Sequence, residues 1–169
     1  METAAIFERL QGRFGEDVLE VALKPPGFFA VIKPEALLDI CRYFREDSDL
    51  AMDCLSNQTG VDRKDCVEVV YHLFSYHYRH EAVLKVRLPR ENPVIPTVEE
   101  IWKSANWMER EIFDLLGVTF DGHSDMRRIL MPEDWLGFPL RKDFVEPAEY
   151  HGISTVRESP ILRLDDKKK

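Results

Sequence analysis

The residues best suited to chemistry lie in one short stretch of the chain, EREIFDLLGVTFDGH. It contributes four carboxylates and one histidine: Glu109, Glu111, Asp114, Asp121 and His123. Two carboxylates that face one substrate with separated pKa values can act as general acid and base, and carboxylates with a histidine can bind a metal ion. Glu111 and Asp114 could converge, and His123 and Asp125, which lie beyond a loop, could close on them. An acid/base or metal site is therefore one interpretation of this stretch.

The same stretch also has the pattern of an ordinary helix. Its apolar residues form one stripe at helical spacing, and a glycine can end the helix at its C-terminal cap. These residues are Met108, Ile112, Leu115, Leu116 and the capping Gly117. The metal-binding patterns H-E-x-x-H and D-x-D-x-D-G do not occur. The pattern therefore favours a structural interpretation of the charges.

The spacing of the charges suggests two specific structural roles. Asn106 and Glu109 have the spacing of a capping box, in which Glu109 would bond back to the backbone at the helix start. Arg110 precedes Asp114 by one turn and can pair with it. Our main hypothesis is that the charged residues of this helix form ion pairs and hydrogen bonds that fix the helix and orient the segment after it, since paired charges tolerate burial. These residues are Glu109, Arg110, Glu111 and Asp114.

The composition excludes several classes of protein. The 169 residues are 44% hydrophobic and 32% charged, which suits one folded domain. A formal net charge of −8 opposes a nucleic-acid partner, because that affinity depends on clustered lysine and arginine. No stretch approaches the roughly 18 apolar residues of a membrane span, and the N-terminus has no apolar run like that of a secretory signal. We expect a soluble protein.

The cysteines and remaining histidines do not form a recognisable cofactor motif. Cys41, Cys54 and Cys66 are odd in number and include no C-x-x-C pair, so we predict buried free thiols and no iron–sulfur cluster. His72, His77 and His80 are predicted strand and turn residues, and the first two would point to opposite faces of the strand. The common nucleotide-binding and serine-hydrolase motifs are missing. We assign no catalytic, cofactor-binding or metal-binding residue.

Apolar periodicity predicts the elements that precede the charged helix. The first helix ends near Gly15 and is followed by two strands, VLEVAL and FFAVIK, which are joined by a turn. A second helix, PEALLDICRYFRED, starts at Pro34. Three strands then follow, in AMDCLSNQTGV, CVEVVYHLFSYHY and AVLKVRLP, and Thr97 is a possible N-cap for a short turn. This order predicts a two-layer α+β domain with its helices packed on one face of a sheet.

After the charged helix the apolar residues lose their regular spacing. We therefore divide the whole chain into an α/β domain, residues 1–126, and an extended C-terminal strap, residues 127–169. RRILMPEDWLGFPLRKDF is rich in large apolar residues with neither helical nor strand periodicity, and Pro132, Gly137 and Pro139 oppose regular structure. Such residues need a surface to cover them, which is either this domain's own surface or a partner's. The candidates for partner contact are Trp135, Phe138, Leu140, Arg141, Lys142, Asp143 and Phe144.

The segment from Asn106 to Phe144 closely resembles the signature region of the 30 kDa subunit, also called the C subunit, of proton-pumping NADH:quinone oxidoreductase, respiratory complex I. The resemblance rests on NWMEREIFDLLGVTFDGHSDMRRILMPEDWLGFPLRKDF and continues into EYHGI. The residues that match the family's signature are Glu109, Arg110, Glu111, Asp114, His123 and Arg127. Because the chain ends soon after Ile153, it does not continue into a fused 49 kDa-like subunit, and a separate partner chain is implied.

The resemblance implies a cofactor-free structural subunit of the hydrophilic arm, which docks on the 49 kDa-like subunit near the cluster-bearing subunits. We call this 49 kDa-like subunit the large partner subunit. FMN, iron–sulfur clusters and quinone would lie on other subunits of this hetero-oligomeric complex. The expected location is the cytoplasmic side of the bacterial inner membrane, where the chain would be peripheral and would touch the membrane only through the complex.

Three alternatives to this interpretation remain. The first is the corresponding subunit of a related membrane-bound hydrogenase or other quinone-reducing complex. The second is a free-standing metal-dependent enzyme that uses the Glu/Asp/His cluster. The third is a soluble binding module that belongs to no membrane complex.

Overall fold

A five-stranded sheet organises the domain. The computed structural model describes residues 2–24 and 27–156. The strands are β1 (Val18–Lys24), β2 (Gly27–Ile32), β3 (Cys54–Asp62), β4 (Cys66–Ser75) and β5 (His80–Pro89). Their order in the sheet is β1-β2-β5-β4-β3, and only β2 and β5 pair in parallel. A crossover therefore joins the hairpin β1–β2 to the meander β3–β4–β5.

Three helices cover one face of this sheet: α1 (Thr3–Phe14), α2 (Leu37–Glu46) and α3 (Ala105–Leu116). Their buried apolar residues share one core with the inward residues of β4 and β5, which alternate with outward residues as the period of a strand requires. Gly60 of β3 lets α3 approach closely, because a Cβ at this position would lie 2.4 Å from Leu116 Cδ1. The predicted two-layer α+β domain, with its helices on one face, is confirmed.

Short elements that the sequence analysis missed frame α3. β6 (Val94–Pro96) precedes the helix and β7 (Thr119–Asp121) follows it, and the two pair in parallel. Thr97 does start a turn, since its hydroxyl accepts the Glu99 N–H at 3.1 Å. A small hairpin, β8 (Glu149–Tyr150) and β9 (Ile153–Ser154), closes the described chain. Both ends of α3 are therefore fixed to one local framework.

The predicted thiols occupy three separate places. Cys41 lies in the core on α2, as predicted, whereas Cys54 and Cys66 are only half-buried. They are half-buried because both begin strands at the margin of the sheet. Cys66 starts β4, and Cys54 pairs with Phe74 near the other end of that strand, so they lie roughly 25 Å apart at about 3.3 Å per residue.

The strap has no regular structure until the β8–β9 hairpin. None of its described residues, 127–156, is buried in the isolated chain, although many are large and apolar. The rest of the predicted strap, residues 157–169, lies outside the described residues. Within the part of the chain that the structure describes, no helix has the length and apolar character needed to cross a membrane.

Candidate functional site

Glu109 lies inside the domain and joins α3 to two other segments. Its carboxylate is fully buried, and Oε1 accepts the Val98 N–H at 2.9 Å while the Thr97 hydroxyl donates to Oε2. Gln58 of β3 donates to Oε1 at 3.4 Å. Burial raises the pKa of Glu109, and the three hydrogen bonds oppose that rise. The expected capping box with Asn106 is wrong, because this carboxylate turns inward to the connector before α3.

The side chain of Asn106 binds a second buried carboxylate, Glu99, which the sequence analysis did not select. Glu99 accepts hydrogen bonds from Asn106 Nδ2 at 2.6 Å, from the Ser124 N–H at 2.7 Å and from the Ser124 hydroxyl at 3.1 Å. Burial opposes ionisation, but these hydrogen bonds hold the pKa of Glu99 below its ordinary value. Glu99 thereby ties the start of α3 to the loop after β7.

His123 lies between these two carboxylates with its side chain fully buried. Its Nδ1 accepts the Asp125 N–H at 2.9 Å, so the proton of the neutral ring is on Nε2. Nε2 then donates to the Asn106 carbonyl at 3.0 Å, and lies 3.6 Å from Glu99 and 4.0 Å from Glu109. Both ring nitrogens are therefore engaged by backbone, and the one available lone pair, on Nδ1, is occupied by the Asp125 N–H.

Arg110 projects from α3 towards the beginning of the strap. Its guanidinium donates to the carbonyls of Arg127 and Arg128 at 3.1 Å each, and lies 3.7 Å from the Asp125 carboxylate. The expected pairing of Arg110 with Asp114 is therefore wrong. The carbonyls of the strap offer Arg110 several acceptors, and Asp114 is already occupied by other donors.

Asp114 is the first anchor of the strap. Its fully buried carboxylate accepts three successive backbone N–H groups, from Ile129, Leu130 and Met131, at 3.0, 2.7 and 2.8 Å. Arg128 donates to the other carboxylate oxygen at 2.7 Å. Burial opposes ionisation, but these donors together hold the pKa of Asp114 below its ordinary value. The start of the strap is thus fixed to the last turn of α3.

Asp62, at the end of β3, is a second anchor that the sequence analysis missed. It accepts the backbone N–H of Lys142 at 2.8 Å and a hydrogen bond from Arg90, whose guanidinium also binds Asp143 at 2.6 Å. The hydrogen bond from Arg90 is the main reason that the pKa of Asp62 lies far below its ordinary value. The two anchors therefore hold the loop between Met131 and Lys142 at both ends.

Between the anchors, the strap packs against the C-terminus of α3. The Leu140 N–H donates to the Leu115 carbonyl at 3.0 Å, and Arg141 Nε donates to the Leu116 carbonyl at 2.6 Å. Gly117 caps α3 with a φ of 73°, as predicted, and a Cβ there would lie 2.4 Å from the Phe138 ring. Phe138 and Arg141, which we selected as partner contacts, thus contact their own domain.

The other predicted site residues are more exposed. Glu111 points to solvent on α3, away from the buried carboxylates, and Arg127 forms an exposed bidentate pair with Asp125 at 2.5 and 2.8 Å. Trp135 and Phe144 are half-buried, while Leu140, Lys142 and Asp143 are exposed. Among the described residues, no three His, Cys, Asp or Glu side chains are grouped as metal ligands. The partner contacts themselves remain a prediction.

The strap presents a row of exposed apolar side chains. Large apolar residues that are more than half exposed are concentrated here, and α3 adds Trp107. These are Leu130 (62%), Leu136 (80%), Leu140 (58%), Val145 (84%), Ile153 (71%) and Val156 (73%), with Trp107 at 68%. Exposed apolar groups held on a fixed backbone are a mark of a binding surface.

The fold of this domain has been seen before. A solved structure described as the trypsin-resistant fragment (1-134) of Nqo5 superposes with a TM-score of 0.61 at 25% identity, covering 71% of this chain and 98% of the fragment. The domain is therefore an α+β domain of the Nqo5 type.

The sequence comparison places the chain in a family. It belongs to the family described as the respiratory-chain NADH dehydrogenase 30 kDa subunit, whose sequence model matches residues 30–150. The C subunit of NADH-quinone oxidoreductase from a Roseiflexus species is 40% identical over 152 residues, which are 88% of this chain and 87% of that protein. The C subunit of F(420)H(2) dehydrogenase from Methanosarcina mazei is 36% identical over 148 residues, 85% of this chain and 92% of that one. The resemblance noted from the sequence is confirmed.

Proposed function

We propose that this chain is a structural subunit of the hydrophilic arm of proton-pumping NADH:quinone oxidoreductase and that its strap docks on the large partner subunit. The observation that carries the proposal is the contrast within the strap. Its backbone is fixed by the buried Asp114 and Asp62, yet none of its described side chains is itself buried. A segment held so firmly with its apolar side chains exposed fits a surface that a second protein covers.

A strap backbone that is already ordered before binding strengthens the complex with a partner. A flexible segment loses conformational freedom when it binds, which weakens the complex, and a segment already fixed in its bound form avoids most of that loss. Asp114 fixes three consecutive amides of the strap, and Asp62 fixes Lys142 eleven residues further on. The loop between them carries Leu136 and Leu140. These side chains can contact a partner with little further loss of backbone freedom.

In this proposal the chain holds no redox group, and FMN, iron–sulfur clusters and quinone lie on other subunits. The chemistry of the cysteines supports this. Cys41 is fully buried, and burial raises the pKa of its thiol, which disfavours the thiolate that a cluster or zinc ion needs. Cys66 begins β4, and Cys54 of β3 lies beside Phe74 near the other end of β4. The two thiols are therefore too far apart to bind one ion.

The carboxylates of the candidate site also favour a structural role. Glu109, Asp114 and Glu99 each accept three or more hydrogen bonds from their own chain. A general acid or base must instead reach a substrate. Electron transfer along an arm of several subunits depends on fixed spacing, so we propose that this chain supports transfer from NADH to quinone by holding neighbouring subunits in place. It would lie peripherally on the cytoplasmic side of the bacterial inner membrane and touch the membrane only through the complex.

The experiment that tests this function is purification of the tagged full chain from solubilised membranes of its own organism, followed by mass spectrometry. The proposal expects the large partner subunit, cluster-bearing subunits and membrane subunits in the eluate, together with NADH:quinone activity. Leu140→Ser should reduce their recovery, whereas Leu19→Ser on β1 is a matched control because both leucines are 58% exposed. Recovery of the chain alone would contradict the proposal.

A second candidate is the same structural role in a related complex with another electron donor. The likeness to the F(420)H(2) dehydrogenase protein of Methanosarcina mazei favours including it. The electron-input subunits that co-purify distinguish the two, because an NADH-specific complex brings a flavin-bearing, NADH-oxidising subunit. Recovery of a hydrogenase or an F(420)H(2)-oxidising subunit would select this second candidate.

A further inference from the structure

An open cavity of about 650 Å³ lies between the strap and its terminal hairpin. Its lining consists of Trp135, Glu146, Tyr150, Ile153, Ser154 and Thr155. This size is within the range of about 300–1,000 Å³ that ligand clefts occupy. None of the anchors or buried carboxylates described above lines it. The cavity is therefore separate from the framework around α3.

The aromatic wall of the cavity is held in a defined arrangement. The rings of Trp135 and Tyr150 lie 5.0 Å apart at 56°, and the Tyr150 hydroxyl donates to Asp134 at 2.6 Å. His151 Nε2 lies 2.7 Å from the same carboxylate. Asp134, which directly precedes Trp135, thus ties the hairpin to this part of the strap. A tryptophan face held this way is the best side-chain surface for a cation.

Among the described residues that line the cavity, Glu146 alone is charged. Residues 143–156 contain three carboxylates, Asp143, Glu146 and Glu149, and no lysine or arginine. Arg90 of the domain binds Asp143, whereas no ion pair within the described ranges involves Glu146 or Glu149. The two arginines that lie over an aromatic ring of the strap, Arg128 and Arg141, both lie over Phe138. The Trp135 face and the Glu146 carboxylate are thus left without a cation from the described chain.

The indole of Trp135 is also incomplete as a hydrogen-bonding group. Its Nε1 is shut off from solvent and has no acceptor within the described chain. A buried N–H group normally has a partner. Because Nε1 is shielded, an acceptor from a partner can reach it only if the cavity wall moves when the partner binds.

We infer that this cavity receives an arginine side chain on an extended segment of the large partner subunit. The guanidinium stacks on Trp135 and pairs with Glu146, and the backbone of the same segment supplies an acceptor for the indole N–H. Arginine fits better than lysine because its planar group both stacks on an aromatic face and forms a directed pair with a carboxylate. This inference rests on the proposed function, and it adds the chemistry of the partner: a basic segment that faces an acidic hairpin.

The test uses the full chain and the purified large partner subunit from the same organism, with the dissociation constant measured at low and at high salt. Glu146→Gln should raise the dissociation constant about tenfold at low salt and reduce its salt dependence, because a charge pair is lost. Trp135→Phe keeps an aromatic ring but removes the N–H, and should also weaken binding. Glu133→Gln is the control, since this exposed strap carboxylate does not line the cavity.

The remaining outcomes separate this inference from the proposed function. If Glu146→Gln and Glu133→Gln bind as tightly as the wild type while the complex forms normally, the inference about the cavity is wrong and the proposed function stands. If the wild-type chain does not bind the large partner subunit, both the proposed function and this inference are wrong. If Arg157→Ala reproduces the Glu146→Gln effect, the arginine belongs to this chain's own residues beyond the described ones, which also overturns the inference.

Discussion

Arg128 and Asp114 form an ion pair that joins the strap to α3, with 2.7 Å between Nη1 and Oδ1. The Asp114 carboxylate is fully buried, and the Arg128 side chain is 15% exposed. The same guanidinium donates to the carbonyls of Trp135 and Gly137 at 2.9 and 3.1 Å. One residue pair therefore connects the helix, the first turn of the strap and the loop that carries Trp135.

Asp114→Asn should release the beginning of the strap. The amide keeps the shape of the carboxylate but removes its charge, and it replaces one of the two acceptor oxygens by an NH2 donor that faces either Arg128 or the three backbone N–H groups. We expect a loss of about 3 kcal/mol in the free energy of unfolding and faster hydrogen exchange at residues 129–131. Glu111→Gln, an exposed site on the same helix, should stay within about 0.5 kcal/mol. Unchanged exchange at these amides would contradict the anchor.

Asp114 should also make stability depend on pH in a definite direction. Its pKa in the folded chain lies below the ordinary value of 3.8, so its contribution is present above that pH and is lost as the pH falls through the folded value. The difference in unfolding free energy between wild type and Asp114→Asn should therefore shrink as the pH falls below about 3.8. Urea denaturation across this range measures it. A difference independent of pH would show that the charge is unimportant.

Glu109 should show the opposite dependence. Burial raises its pKa above the ordinary 4.5, so its contribution is largest below that value and is lost as the pH rises through the folded pKa. Glu109→Gln cannot ionise and should gain stability relative to wild type as the pH rises above about 4.5. The same urea series, with Glu111→Gln as the exposed control, measures the trend. A gain at falling pH would refute the assigned direction.

Gly117→Ala should destabilise the contact between α3 and the strap for two separable reasons. The φ of 73° disfavours any residue with a Cβ, and the new Cβ would lie 2.4 Å from the Phe138 ring. Gly122 has a similar φ of 80° but its nearest atom would be at 3.6 Å, so Gly122→Ala should show the conformational cost alone, about 1–2 kcal/mol. We expect Gly117→Ala to exceed that, and Phe138→Leu to recover part of the excess. If Gly117→Ala and Gly122→Ala lowered the free energy of unfolding equally, the close contact with Phe138 would not contribute to the effect.

Asp62→Asn should free the far end of the loop without affecting its start. The variant loses the charged partner of Arg90 and weakens the acceptor for the Lys142 N–H. Hydrogen exchange should accelerate at Lys142 and Asp143, while residues 129–131 keep their protection. Asp65→Asn, a nearby exposed aspartate, serves as the control. If both ends of the loop lost protection together, the two anchors would be one cooperative unit.

The sequence predicted those parts of the molecule that depend on neighbouring residues. Periodicity indicated the order of helices and strands, and Gly117 marked the end of α3 because a left-handed cap is a local requirement. Local spacing was misleading where a distant group competed. Asn106 binds Glu99 and does not complete a capping box. Arg110 donates to backbone carbonyls of the strap and does not pair with Asp114.

Asp62 and Glu99 were beyond the reach of sequence patterns for the same reason. Asp62 binds the backbone of Lys142, 80 residues away, and Glu99 binds Ser124, 25 residues away. Both acceptors interact with backbone N–H groups, which every residue except proline possesses, so no residue type marks the partner. The short parallel pair β6–β7 was missed because a three-residue strand has no measurable periodicity.

In the assembled complex, a second protein should cover the exposed apolar row of the strap, and the proposed role depends on this more than on any other contact. Hydroxyl-radical footprinting of the full chain, alone and in the complex purified from membranes, measures this side chain by side chain. We predict that Leu130, Leu136 and Leu140 lose most of their reactivity in the complex while Leu19 on β1 keeps its own. Equal reactivity of the strap leucines in the free chain and in the complex would contradict the docking role.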